Sequence, residues 1–321
     1  MATNLICSDS YNIRIFPISQ TLAFRPSNCT NLSTSILQPA APHMPPSPSR
    51  IQDLRLALLD CTEDEVEEEF NQLPDGVVFG KEQTEKVPEY STGVRNHNAD
   101  KNRYRNIIAN DSTRVKLEGK FNDYINANYC LRGRVILTQG PLESTLGDFF
   151  HMLWTNRSTA IAMVTNWYEE GTEKCTPYCH PRIEAGDYIA FVQPGGQNSK
   201  ELEAQGIRTS QIAFYRKEQY PFDFRFIRHY HLPDWKDHAG SMPEKVATLA
   251  RLLLKETLPV IHCSAGIGRA GTVALVLGAF LSGDIVKNAL IALRKERRGC
   301  VQTTEQYVTA HEALKSLLLK V

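Results

Sequence analysis

The stretch from Leu258 to Thr272 constrains this chain more than any other. Leu258-Pro259-Val260-Ile261 runs into His262-Cys263-Ser264-Ala265-Gly266-Ile267-Gly268-Arg269, and an apolar segment follows from Ala270. The pattern predicts a short buried strand, a loop of small residues and a helix starting near Arg269. Glycine and alanine let the loop backbone curl until successive N–H groups face one point, and the helix presents its positive end to the same point. A cysteine placed there is favoured as the thiolate, a nucleophile at neutral pH. An arginine six residues later can fold over the loop and grip two anionic oxygens with its fork. Thiolate, inward amides and guanidinium together describe attack on a phosphoryl group. Two plainer readings exist. Gly266-x-Gly268-x-x-Gly271 has the glycine spacing of a dinucleotide site, but that site needs a second parallel strand with a terminal acid about 20 residues on. Ile285 to Arg298 looks helical instead, and the spacing gives no reason for His262-Cys263 or Arg269. The other is a buried structural cysteine beside helix-packing glycines.

Such a loop needs a rigid surround. With 321 residues, 42% hydrophobic and 22% charged, the chain is long enough for a sizeable core. Its 36 basic and 36 acidic residues cancel, which argues against a nucleic-acid wrapper or a polybasic membrane binder. No apolar run approaches the ~20 residues of a membrane span. Eight cysteines are scattered without a dense framework, which suits a reducing compartment. The expected location is cytoplasmic, with an exported effector acting in a host cell as the alternative.

Residues 1–50 stand apart. They are rich in Ser, Thr, Asn and Pro, hold one acid, Asp9, and end in a proline-rich stretch over 42–50. This composition predicts a largely disordered tail. No secretory signal pattern is present, but the tail could act as an organelle transit peptide or a secretion leader. Pro45-x-x-Pro48-x-Arg50 could also form a polyproline ligand for an adaptor groove.

A single α/β domain is expected over residues 51–321. Ile51, Leu54, Leu58 and Leu59 recur at helical spacing, and Thr62 with Glu65 reads as a capping box for a second helix. Strands are expected over 123–129, 134–138, 159–165, 188–192, 207–216 and 222–231, with a helix at 146–154, and the pattern turns helical after Pro243. Cys175-x3-Cys179-His180 has a loose zinc spacing without an evident fourth ligand, so no metal and no cofactor is expected. Arg294, Lys295, Arg297 and Arg298 form a basic run that reads either as a solvated helix end or as a surface selecting acidic peptides.

His262-Cys263-x5-Arg269 resembles the signature of cysteine-dependent protein phosphatases, and five further blocks resemble the tyrosine-specific branch. These are Asn102-Arg103-Tyr104-Arg105-Asn106-Ile107, Asp123-Tyr124-Ile125-Asn126-Ala127-Asn128-Tyr129, Thr138-Gln139-Gly140-Pro141-Leu142, Glu169-x-Gly171-x-x-Lys174-Cys175 and Gly299-Cys300-Val301-Gln302-Thr303-x-x-Gln306-Tyr307. They run in family order over about residues 60–318. The resemblance implies one highly twisted mixed β-sheet flanked by helices, with the phosphate-binding loop between a strand end and a helix. It also implies metal-independent hydrolysis of phosphotyrosine on signalling proteins through a cysteinyl-phosphate.

The roles it implies are these. Cys263 is the nucleophile, tuned by His262. Arg269 and the amides of Ser264, Ala265, Gly266, Ile267 and Gly268 hold the phosphoryl oxygens. Asp237 is the general acid on a loop that also carries Trp235, with Asp234 a rival. Tyr104 stacks on the substrate ring and sets pocket depth, and Asn106 meets the substrate backbone. Lys174 reaches toward the acid loop, and Glu169 orients Arg269. Gln302, with Gln306, positions the hydrolytic water. Two positions depart from the family pattern: Lys236 stands in place of a proline beside Asp237, and Ala270 in place of a hydroxyl residue after Arg269. The departures leave open a second function, a phosphotyrosine-binding module that turns over slowly or not at all.

Overall fold

The structure is a computed structural model that describes residues 46–59, 61–74, 86–195, 199–235 and 243–319. Residues 1–45 of the expected tail over 1–50, and the loop residues Lys236 and Asp237, lie outside them. The first helix among the described residues begins ahead of Ile51. Helix α1 spans Pro48–Leu59, with its proline in the first turn, where a missing N–H costs nothing. Pro48 and Arg50 are helical here, not extended as in a polyproline segment. Arg50 donates to the Ser282 carbonyl at 3.1 Å, and Arg55 to that of Leu318. Helix α2 (Glu63–Asn71) starts at the expected capping box: Thr62 Oγ1 accepts from the Glu65 amide, and the Glu65 carboxylate accepts from the Thr62 amide.

Helix α3 (Asn96–Ala99) precedes strands β1 (Arg114–Lys116), β2 (Tyr124–Cys130) and β3 (Val135–Thr138). Helix α4 (Leu146–Thr155) leads to β4 (Ala160–Met163), a small ribbon of β5 (Tyr168–Glu169) and β6 (Thr172–Glu173), β7 (Arg182–Ala185) and β8 (Tyr188–Pro194). Next come α5 (Ser199–Ala204), β9 (Arg208–Arg216) and β10 (Phe224–His231). The rest is α6 (Pro243–Leu253), β11 (Val260–His262), α7 (Arg269–Ser282), α8 (Val286–Glu296) and α9 (Thr304–Leu319). The expected long strands and helices form within a few residues of their predicted limits. β1, β7 and the β5–β6 ribbon were not expected, being two to four residues long and mostly polar.

The nine-stranded sheet has the order β1-β2-β3-β11-β4-β10-β9-β8-β7. Its centre, β3, β11, β4 and β10, is parallel, and both flanks are antiparallel. The four central strands therefore end along one edge, where open α/β sheets place their ligands. Alternation along β11 divides the core: Val260 packs toward Phe149, Phe150 and Trp154, while Ile261 packs toward α6, α7 and α9. Helix α7 lies at the centre of the second layer, with every residue from Arg269 to Phe280 buried. That explains its all-round apolar sequence.

Four of the five buried histidines among the described residues make this core acid-sensitive. Burial holds His262 and His311 at about 4, His229 well below its usual value, and His231 below it. Both ring nitrogens of His311 lack a hydrogen-bond partner among the described residues. An unfolded histidine takes a proton as pH falls through about 6.5, while these folded ones do not until lower pH. Acidification from 6.5 toward 4 therefore favours the unfolded chain, by about 1.4 kcal/mol per pH unit for each histidine still neutral when folded. Urea midpoints should be level above pH 7 and fall steeply below 6.5. His311→Leu should reduce that slope by about one proton; an unchanged slope would contradict the assignment.

Candidate active site

The loop from Cys263 to Gly268 joins β11 to α7, and each of its six carbonyls is held from outside. Cys263 O accepts from His262 Nδ1 at 3.0 Å, and Ser264 O from the Gly140 amide at 2.9 Å. Arg297 holds the next two, donating to Ala265 O at 3.1 Å and to Gly266 O at 2.8 Å. Ile267 O accepts from the Val301 amide and Gly268 O from the Thr272 amide, both at 2.9 Å. In a trans peptide the next N–H points opposite the carbonyl. Turning six carbonyls outward therefore turns the amides of Ser264 to Arg269 inward. One of these contacts is explicit: the Gly266 amide donates to Cys263 Sγ at 3.2 Å. Gly266 has φ +75°, and a Cβ there would overlap the Thr138 carbonyl, so this turn requires glycine.

Arg269 is fully buried and fixed from two sides. Its Nη1 donates to Glu169 Oε1 at 2.6 Å and to the Trp235 carbonyl at 2.7 Å. Glu169 Oε1 also accepts from the Asn166 amide and the Thr165 hydroxyl. Burial works to raise the Glu169 pKa, but these bonds and the Arg269 charge outweigh it and hold the carboxyl below its usual value. Trp235 is itself buried. Arg269 thus meets the Glu169 carboxylate and the backbone of Trp235 at once.

Tyr104 lies half-buried at the rim, its hydroxyl 2.9 Å from Ser264 Oγ, with Asn106 half-buried two residues on. Their segment is anchored by Arg103, which donates to the carbonyls of Gly140, Pro141 and Glu173 and so ties three sequence blocks together. On the opposite side the Gln302 amide donates to Gln306 Oε1 at 2.8 Å. A Cβ on Gly268 would meet Gln306 Nε2 at 3.0 Å and press on Gln302 Oε1, so both glutamines sit directly against the loop. The Lys174 amide pairs with the Trp167 carbonyl. Asp234, the rival to Asp237, is exposed and lies 3.7 Å from Lys245 on α6.

At Arg294 and Arg297 the basic run is neither a solvated helix end nor a peptide-selecting surface. Arg294 and Arg297 are buried. Arg297 spans from the loop carbonyls to Asn126 and Asn128 Oδ1 on β2 at 2.9 and 2.7 Å, and Arg294 donates to the carbonyls of Cys300 and Val301. Burial of a guanidinium demands that many of its donors be met, and a sequence shows the charge but not the acceptors. The zinc-like spacing also has another use: Cys175 is fully buried and Cys179 Sγ lies 3.6 Å from His229 Nδ1.

His262 was expected only beside Cys263, but its other nitrogen matters as well. Nε2 lies 2.6 Å from the hydroxyl of Tyr178, which is buried and lies 3.2 Å from His229 Nε2. Tyr178 lies outside the sequence motifs, and nothing local marks it.

Comparison with known sequences agrees with this geometry. The family model described as Protein-tyrosine phosphatase matches residues 98–316. Tyrosine-protein phosphatase 3 of Dictyostelium discoideum is 32% identical over 71% of this chain and 26% of its own length. For the human tyrosine-protein phosphatases non-receptor type 12 and type 20, identity is 31% and 34%, over 75% and 73% of this chain. The chain covers 33% and 58% of these two, so it spans only part of each of these relatives. With two-thirds of its residues under the family model and its loop, Arg269 and Glu169 assembled at one sheet edge, the chain belongs to the protein-tyrosine phosphatase family.

Proposed function

We propose that this chain hydrolyses phosphotyrosine on proteins by a two-step covalent route. The observation that carries the reading is the ring of six outward-held carbonyls around Cys263, which leaves inward amides and a helix N-terminus to receive a phosphoryl dianion. In the first step Cys263 Sγ attacks phosphorus and the tyrosyl P–O bond breaks. Asp237 gives its proton to the departing oxygen. Arg269 and the loop amides hold the three equatorial oxygens as charge spreads over them. In the second step a water placed by Gln302 and Gln306 attacks phosphorus. Its proton passes to Asp237, the S–P bond breaks, and inorganic phosphate leaves. Tyr104 at the rim makes the pocket deep, which favours an aryl phosphate over the shorter phosphoserine.

A second reading, a phosphotyrosine-binding module with little turnover, is favoured by two residues. Ala270 lies buried in the first turn of α7, where a hydroxyl would otherwise assist the leaving thiolate. Lys236 removes the fixed φ of a proline beside Asp237.

Three measurements test this reading. Hydrolysis of a phosphotyrosine peptide should be readily detected and lost in Cys263→Ser; binding without turnover in the parent protein would select the module instead. A missing hydrogen bond to a charged leaving group costs about 1.5–3 kcal/mol, roughly ten- to a hundredfold in rate. The parent should therefore show a burst of tyrosine release, and Ala270→Ser should shrink the burst and raise the steady rate. Equal burst and rate in both proteins would refute that role. Arg297→Met leaves two loop carbonyls unheld and should lower kcat by about a hundredfold or more while Cys263 and Arg269 remain. A kcat near the parent value would show that the loop keeps its form without this clamp.

A further inference from the structure

The hydrogen bonds behind the loop have only one self-consistent direction. A carbonyl can only accept, so His262 Nδ1 carries a proton and donates it to Cys263 O. Burial keeps His262 neutral, its pKa at about 4, so Nε2 is bare and must accept. The Tyr178 hydroxyl, 2.6 Å away, therefore donates to it. With its proton committed, the Tyr178 oxygen can only accept from His229 Nε2, at 3.2 Å. His229 is buried and neutral too, so its Nδ1 is bare. It accepts from the Cys179 thiol at 3.6 Å or the Ser210 hydroxyl at 3.3 Å. The relay runs from β9 and the segment before β7, through β10 and β11, to the peptide of Cys263, with every dipole aimed the same way.

We propose that His229 is a positioning residue for the reaction: by donating to Tyr178 it commits the Tyr178 proton to His262 and so fixes the His262 tautomer that holds the Cys263 carbonyl outward. This rests on the phosphatase reading only in that Cys263 is the nucleophile. Without His229, the Tyr178 hydroxyl can rotate and His262 can carry its proton on Nε2. A bare Nδ1 would then face the Cys263 carbonyl, two acceptors in contact, and the peptide beside the thiolate would lose its anchor. Other polar or charged groups around the relay do not supply this function. His231 is a ring neighbour on the same strand, with Nε2 donating to Thr165 O. Cys175 acts on Tyr178 only through space, and Arg103 and Arg269 act on His262 in the same way. The relay also gives a use to His229 and Cys179, which the phosphoryl chemistry leaves aside.

The test uses two polar variants of similar size. In His229→Gln the amide nitrogen can occupy the place of Nε2 and reach Tyr178; in His229→Asn it falls short. The readout is the pH dependence of Cys263 alkylation by iodoacetamide, located by mass spectrometry, alongside the acid limb of kcat/KM for para-nitrophenyl phosphate. His229→Asn should move both titrations up by about one pH unit, a tenfold loss of thiolate on the acid side, while His229→Gln stays at the parent value. Tyr178→Phe should reproduce the shift, and adding His229→Asn to it should move nothing further. Parent-like titration in His229→Asn or in Tyr178→Phe would overturn the proposal, as would equal shifts in the Asn and Gln variants. If the parent protein alkylates normally but hydrolyses no aryl phosphate, the phosphatase reading fails, while the alkylation curves still decide the relay.

Discussion

Everything in the site depends on keeping six consecutive carbonyls turned away from one sulfur. A short loop prefers to satisfy its own backbone locally, and the alternative arrangement would point oxygen lone pairs at the anion. The cost of the unusual arrangement is spread over the whole domain. One carbonyl is held from β11 itself, one from just past the end of β3, two by a side chain at the end of α8, one by the loop before α9, and one by the first turn of α7. No local change of sequence could supply all of these, and so a loop of six residues requires a domain of well over two hundred.

The parallel centre of the sheet brings these holders together. β3, β11, β4 and β10 end at the same edge, so Gly140, Cys263, Glu169 and Trp235 arrive within reach of one another although they are far apart in sequence. Arg269 then acts as the joint. One nitrogen of its guanidinium meets both the segment after β4 and the segment after β10, so the backbone leading into the loop of the expected acid is joined to the group proposed to hold the phosphoryl oxygens. The base of that loop is tied down as well, through Asn166 Nδ2 to Pro233 O and His231 Nε2 to Thr165 O.

How much of this was legible in the sequence follows from the range of the forces involved. The strand, loop and helix around Cys263 could be read because glycine conformation, apolar runs and helix starts are local. The Thr62–Glu65 cap could be read for the same reason. The Glu169–Arg269 pair was legible only by resemblance, since one hundred residues separate its members. Arg297 was misjudged because a charge in a basic run looks solvated until its acceptors, Asn126, Asn128 and two loop carbonyls, are known. Tyr178 carries no signal of its own, and its role appears only when His229 and His262 are seen on either side of it. β1 and β7 are too short and too polar to show a period; their neighbours in the sheet make them strands.

Helix α1 shows that the recognisable part of the chain and the part that is physically closed do not coincide. The match to the family starts at residue 98, yet Arg50 and Arg55, more than forty residues earlier, cover the trailing ends of α7 and α9. Both of those helices begin beside the phosphate loop or the glutamine pair. The far poles of the two helices that frame the candidate site are thus covered by a segment no signature marks. Heredity can be traced by the motifs, but the smallest self-sufficient object is set by where the last bare carbonyls find a cation.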